Sequence, residues 1–250
     1  MTEKPLISVI TVVYNGEKHL QQTIDSVVNQ TYDNIEYIII DGASKDGTLD
    51  IIKANEAHIS SWVSEPDDGL YHAMNKGLAK AKGELIGIIN SDDWYELDAV
   101  EIIVEAYLKD TSKTIFHADR HDIYPNGDAK VYLFNPSSFK FKYFAMTYNH
   151  PSMFVSPKVY ALYNYNTNLN VYSDYQFTLT SYLKNKEQFV YINKTIVNFR
   201  LGGVSGQIPL TKVLKEGFKA RRNAGMNFIQ STIAIGCKLG LELIKLVLKK

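Results

Sequence analysis

Four residues at the end of an apolar run carry the strongest chemical signal. Leu85–Asn90 reads as a buried strand, and it stops abruptly at Asn90-Ser91-Asp92-Asp93. Two adjacent carboxylates repel each other and are costly to remove from water, so they call for strong donors or a cation. In open α/β sheets, ligands bind at the carboxyl ends of the strands. Asp92 and Asp93 therefore suggest a divalent cation holding an anionic ligand, most simply a nucleoside diphosphate. The competing reading is a polar loop that caps the next helix through Asp93 or Asp98.

Other strand ends add to this picture. Leu6–Val13 is a continuous β-branched run ending in Tyr14-Asn15-Gly16, and Ile35–Ile40 ends at Asp41-Gly42. Asp41 can accept an N–H from a base such as uracil, with Tyr14 packed on the base face. A turn-forming Asp-Gly pair explains Asp41 equally simply. No Gly-x-Gly-x-x-Gly and no Walker-type loop occurs, which disfavours a dinucleotide or P-loop site.

The elements that must position these loops alternate. Leu20, Ile24, Val27 and Val28 fall at helical spacing, and Thr48–Asn55, Leu70–Lys82 and Ala99–Leu108 also read as helices. Between them Ile59–Ser64 reads as a strand. This alternation over residues 1–110 predicts a doubly wound, mostly parallel sheet. Residues 111–208 differ. Thr114–Tyr124, Ala129–Phe134, Tyr148–Ser156 and Phe189–Arg200 read as strands, and Lys158–Tyr163 and Asp174–Lys184 as helices. The expectation is a nucleotide-sugar-binding half and an irregular, aromatic-rich acceptor half fused in one domain, 1–208, with a tail at 209–250.

Composition narrows the classes. The single cysteine, Cys237, excludes an internal disulfide and fits a reducing, cytoplasmic compartment. The start of the sequence shows no secretory apolar region, and no run of 18 uncharged apolar residues occurs. The net charge is zero but uneven: from Pro209 onward nine Lys or Arg face two Glu, so +7, and the preceding 208 residues carry −7. A basic tail on an acidic body points to an anionic surface. The Leu/Ile-rich tail lacks aromatic–basic interleaving, which argues against nucleic acid. On a helical wheel Phe228–Lys250 shows one polar stripe, Lys238, Glu242, Lys245 and Lys249, as expected of an interfacial helix. A helix docked on its own core or on a second copy is the alternative.

Five segments in order complete the reading: ITVVYNG from Ile10, DGASKDGT from Asp41, SEPDDGLYHAMNKG from Ser64, GELIGIINSDDWY from Gly83 and YSDY from Tyr172. Over Leu6–Gly203 they resemble family 2 glycosyltransferases, inverting enzymes of the GT-A fold, and most of all those building O-antigen, colanic-acid-like and capsular polysaccharides in bacteria. The resemblance implies a UDP-sugar donor, a divalent metal (Mn²⁺ or Mg²⁺) and a lipid-linked or oligosaccharide acceptor at the inner membrane face. It makes Asp41 the uracil-binding residue. Asn90-Ser91-Asp92 stands in for the Asp-x-Asp motif, with Asn90 on the donor side, Asp92 as metal ligand and Asp93 beside it. Asp68, Gly69, Asn75 and Gly77 match the loop and helix flanking the donor phosphates and sugar.

Asp174 matches the general base. An inverting transfer needs such a carboxylate to take the acceptor hydroxyl's proton, and Asp174 is the only acidic residue between Asp128 and Glu187. A helix N-terminal carboxylate is its structural alternative. His150 resembles a position near the acceptor, or is a buried structural histidine. Arg200, with Gly202-Gly203-Val204-Ser205, suggests a loop that closes over the site. Arg221 and Arg222 are candidates for the phosphates of a lipid-linked acceptor, or part of a solvated helix face. A nucleotidyltransferase and an inactive membrane-attached scaffold are the competing functions. Tyr14-Asn15-Gly16-Glu17 is a poor match to the first, and the presence of both Asp92 and Asp174 argues against the second.

Overall fold

The computed structural model describes residues 4–203 and 208–248, and side chains as far as Ile244. Val204, Ser205 and Lys249, named above, lie outside the described residues, as does the side chain of Lys245. The elements run β1 (Ile7–Val13), α1 (Leu20–Val28), β2 (Ile35–Asp41), α2 (Thr48–Ala54), β3 (Ser61–Ser64), α3 (Leu70–Lys80), β4 (Leu85–Asn90), β5 (Trp94–Tyr95) and α4 (Ala99–Lys109). They continue with β6 (Ile115–Ile123), β7 (Ala129–Tyr132), α5 (Ser138–Tyr143), β8 (Phe154–Val155), α6 (Pro157–Tyr160), α7 (Ser173–Lys184), β9 (Phe189–Arg200), α8 (Leu210–Asn223) and α9 (Phe228–Leu248).

One mixed sheet crosses the molecule in the order β3-β2-β1-β4-β8-β6-β9-β5, with β7 paired to β6. The β3-β2-β1-β4 part is parallel. Every residue of β1 is buried, as expected of a strand covered on both faces. Leu20, Ile24, Ile52, Val100 and Ile103 close one face with α1, α2 and α4. Met74, Phe141, Leu179 and Ala220 close the other with α3, α5, α7 and α8.

The alternating half is as expected from the sequence apart from β5, a two-residue strand antiparallel to β9 that lies outside the expected elements. The second half departs from expectation in two places. The strand expected over Tyr148–Ser156 shrinks to Phe154–Val155, antiparallel to both β4 and β6. The reason is local: His150–Ser152 form a 3₁₀ turn, Pro151 has no N–H to give a ladder, and Asn149 and Ser152 both donate side-chain bonds to the Ala118 carbonyl. Helix α5 has no counterpart among the expected elements. It starts on Ser137, whose Oγ accepts the Lys140 N–H.

Candidate active site

The loops that follow β1, β2 and β4 meet at one edge of the parallel half, held by short polar side chains. The Asn15 N–H donates to Ser44 Oγ (2.7 Å), and the Lys45 N–H donates to Asn15 Oδ1 (2.9 Å). The Gly16 N–H donates to Thr48 Oγ1 (2.8 Å) and Glu17 Oε2 accepts the Gly47 N–H (2.6 Å). Asn15 and Ala43 both sit in the left-handed region, φ 50° and 61°. Such backbone persists only where surrounding bonds over-determine it, and it clusters at functional sites.

Asp41 is fully buried at the end of β2. Its carboxylate accepts from the Ser44 hydroxyl and N–H and from Ser64 Oγ (2.6 Å). It thus ties the β2 and β3 loops together. Tyr14 stands beside it, 64% exposed. Between them, a side chain on Gly42 would lie 3.4 Å from both the Tyr14 ring and Asp67 Oδ2. The bare backbone of Gly42 therefore leaves a slot flanked by an aromatic ring and a carboxylate.

Of the Asp67-Asp68 pair, the structure turns Asp67 inward. Its side chain is 8% exposed and sits 2.7 Å from Lys76 Nζ. Asp68 is exposed, and its N–H donates to His72 Nδ1 (3.0 Å). Gly69 follows at φ +106°, a conformation open to glycine, and leads into α3. Asn75 spends its amide on the Tyr165 backbone, accepting its N–H and donating to its carbonyl. Gly77 lets α3 approach β1, since a side chain there would meet Ile10 at 2.5 Å.

The adjacent carboxylates at the end of β4 do different jobs. Asp93 is 1% exposed. It accepts the Arg200 N–H (2.9 Å) and Asn90 Nδ2 (3.2 Å). Burial first, and the Asp92 charge second, push its carboxyl up to about 7. Arg200 completes the clasp: Nε donates to the Asp92 carbonyl (3.2 Å), another nitrogen donates to Gln22 Oε1 (2.9 Å), and the guanidinium lies over the Trp94 ring. Asp92 itself is half-exposed, and a side chain on Gly203 would lie 3.4 Å from its Oδ2. Among the described residues no three His, Cys, Asp or Glu gather around one point. A single open carboxylate fits a cation shared with a diphosphate, because Mg²⁺-type sites often take one or two protein carboxylates and complete their shell with phosphates and water.

Asp174 lies in the first turn of α7, where the helix dipole favours its charge. Its Oδ1 accepts the Tyr71 hydroxyl (3.0 Å) and its neighbour's N–H. Tyr71 is the second residue of α3 and is 5% exposed. Its ring stacks on Tyr165, whose hydroxyl pairs with His150 Nε2 (2.8 Å). His150 is half-buried, edge-on to the Tyr165 ring, and desolvation lowers its pKa.

The two remaining arginines are engaged elsewhere. Arg221 is 5% exposed, donates to the Lys142 and Gly217 carbonyls and stacks on the Tyr175 ring. Arg222 is exposed and donates to the Met226 carbonyl (2.7 Å). Neither contact reaches the strand-end loops. The sequence reading did not single out Tyr71, Asp67, Ser44 or Ser64. In a loop no periodicity tells which of two adjacent Asp faces inward, and Tyr71 reaches Asp174 across 103 residues of chain.

Comparison with known proteins bears on the family and the fold. Residues 8–167 match the family model described as glycosyl transferase family 2. The hyaluronan synthase of Pasteurella multocida is 28% identical over 228 residues, covering 89% of this chain and 23% of the synthase. The chondroitin synthase of Escherichia coli is 29% identical over 219 residues, 85% of this chain and 31% of that protein. The chain thus spans less than a third of either relative. Among solved structures, S. aureus TarS 1-349 in complex with UDP-GlcNAc superposes with a TM-score of 0.69 at 16% identity, covering 92% of this chain and 70% of that one. Mannosyltransferase PcManGT from Pyrobaculum calidifontis, in complex with GDP-Man and Mn2+, gives 0.67 at 16% identity over 93% of this chain and 69% of that one. The α/β sheet is therefore GT-A-like, and with its family model matched over more than half its length, this chain belongs to glycosyl transferase family 2.

Proposed function

We propose that the chain is an inverting glycosyltransferase that moves a hexose from a UDP-sugar to a saccharide carried on a lipid diphosphate, at the cytoplasmic face of the membrane, in surface-polysaccharide synthesis. One observation carries this reading. Tyr71, directly after the β3 loop, fastens Asp174 to the same edge that carries Asp92 and the Tyr14–Gly42 slot. A carboxylate able to take a proton is thus tied to the edge where a nucleoside diphosphate fits.

In the proposed reaction the acceptor hydroxyl attacks the sugar's anomeric carbon from the side opposite the nucleotide. Asp174 takes the hydroxyl proton as the new C–O bond forms. The old bond to the diphosphate breaks and UDP departs. Asp92 would hold a divalent cation, Mn²⁺ or Mg²⁺, which offsets the charge on the leaving diphosphate. Tyr14 stacks on the base, and Asp41 fixes the loop beneath it. Asp93 and Arg200 keep the Asp92 backbone in place. His150 and Asn75 act behind this layer by holding Tyr165, on which Tyr71 stacks.

A UDP-release screen across sugar nucleotides, with and without metal and a lipid-diphosphate saccharide, tests the proposal. Acceptor-dependent UDP release with one donor is expected. Release of pyrophosphate would make the chain a nucleotidyltransferase, and nucleotide binding without release under any condition would make it an inactive scaffold.

A further inference from the structure

The tail folds back as a hairpin of α8 and α9, with Phe218 packed edge-on against Phe228 near the turn. The two described members of its polar stripe, Lys238 and Glu242, face the protein, opposite to the expectation from the wheel. Lys238 and Glu242 pair at 3.1 Å with side chains only 23% and 27% exposed. Lys238 lines a cleft with Phe144, Tyr172 and Arg221. The opposite side of α9 presents Ile229, Ile233, Leu243 and Ile244, between 49% and 69% exposed, with Phe228 and Leu239 at its margin. Among the described residues no helix is long and apolar enough to cross a membrane.

Among the described side chains of the tail, the cations that face water are on the other arm. Lys212, Lys215, Lys219 and Arg222 are exposed and recur at helical spacing along one face of α8. The one acid of α8, Glu216, is buried, accepting N–H groups from Asn170 and Val171. An exposed apolar helix face beside a row of four cations with no exposed acid on the same helix has a defined complement: an anionic, apolar-cored surface. A symmetric contact between two copies would bring two such rows together, since a two-fold contact repeats the same patch. The rest of the chain, at −7, is repelled by the same surface, which leaves the hairpin as the part that approaches.

We propose that the α8–α9 hairpin is a bilayer-docking surface, in which the outer face of α9 enters the headgroup boundary and the α8 row binds anionic lipid, while Lys238 and Glu242 serve as an internal contact. This stands whether or not the chain transfers a sugar. The test is co-sedimentation of the full chain with phosphatidylcholine vesicles, with and without phosphatidylglycerol. Replacing Lys212, Lys215, Lys219 and Arg222 together by Gln should cost roughly five-fold per residue, several hundred-fold in all, on the anionic vesicles alone. Ile233→Ser with Leu243→Ser should release the protein from both kinds of vesicle. Lys238→Gln should leave binding within about two-fold of the parent, since this side chain does not reach the lipid. Circular dichroism checks that each variant is folded. The proposal is overturned if neutralising the row changes nothing or if Lys238→Gln costs as much as the whole row. It also fails if the parent stays in the supernatant while sedimentation shows a dimer that Ile233→Ser/Leu243→Ser splits, which would make the face an interface between copies.

Discussion

The two carboxylates at the centre of the proposed site are held by opposite means. Around Asp41 the partners are short: the hydroxyls of Ser44 and Ser64, with Thr48 and Asn15 lacing the neighbouring loops. Around Asp174 the partners are rings: Tyr71, then Tyr165, then His150 and Tyr160. Short side chains fix main-chain positions, because each bond ends on a backbone group or a neighbouring loop. Rings fix a volume and leave hydroxyls at its edge. The first arrangement suits a donor nucleotide whose shape does not vary. The second can be reshaped ring by ring to suit different acceptors without disturbing the loops proposed to bind the nucleotide.

The hardest test of that contrast is Asp174→Asn. The amide keeps the shape and can still accept from Tyr71, but it cannot take a proton. Transfer in a single turnover at saturating donor and acceptor should fall by roughly 10²-fold or more, with donor affinity kept. A near-parental rate would reduce Asp174 to a helix-terminal carboxylate and leave the ring side without a chemical role.

Asp92→Ala attacks the other side. Metal-dependent UDP binding, read by calorimetry, should weaken by about 10–100-fold, and the metal's benefit should vanish with it. Equal binding of Mn²⁺ and UDP by variant and parent would remove Asp92 from the donor site.

Tyr71→Phe sharpens the comparison more finely, because it keeps the stack on Tyr165 and deletes one hydroxyl. A hydrogen bond to a charged group is worth about 1.5–3 kcal/mol, so kcat should drop by about ten-fold or more with little change in donor KM. A changed donor KM with an unchanged kcat would mean that Tyr71 serves packing alone.

The smallest effect concerns Asp93 and is read in stability. Its folded pKa of about 7 lies above the ordinary carboxylate value. The folded state therefore holds the proton more tightly than the unfolded chain, and stability from this group is full below about pH 4 and lost as pH rises through 7. In metal-free buffer the melting temperature of the parent should fall between pH 5 and 8 by more than that of Asp93→Asn. Parallel curves would show that Asp93 ionises freely and that the clasp with Arg200 does not depend on its protonation.

Much of the alternating half, residues 1–110, was legible because its rules are local. The β-branched runs at Leu6–Val13 and Ile35–Ile40 could be buried only inside a sheet, and the helical spacing of Leu20, Ile24 and Val27 named the face that covers them. The half that follows was harder. Residues 148–152 look like a strand, yet Asn149 and Ser152 find the Ala118 carbonyl, and that partner is about thirty residues away. The same limit applies to the tail. Its wheel identified a polar stripe and an apolar side, but periodicity alone does not say which side meets the protein.

What the sequence by itself determined is therefore the set of elements and the chemical groups at their ends: alternating strands and helices, loops bearing Asp41, Asp92 and Asp93, a carboxylate at the start of α7, and a tail of +7 charge. Tertiary structure decided how those groups are spent. It buried Asp93 under the Arg200 backbone while leaving Asp92 half-open, and it turned Asp67 inward instead of Asp68. It joined Tyr71 to Asp174, and it faced Lys238 toward the protein with Ile233 toward water. The physical reason is common to all four. A residue's type sets what it can donate, accept or neutralise, whereas burial and partner are properties of the other chain segments that pack against it, and these become defined only when distant parts of the chain come together.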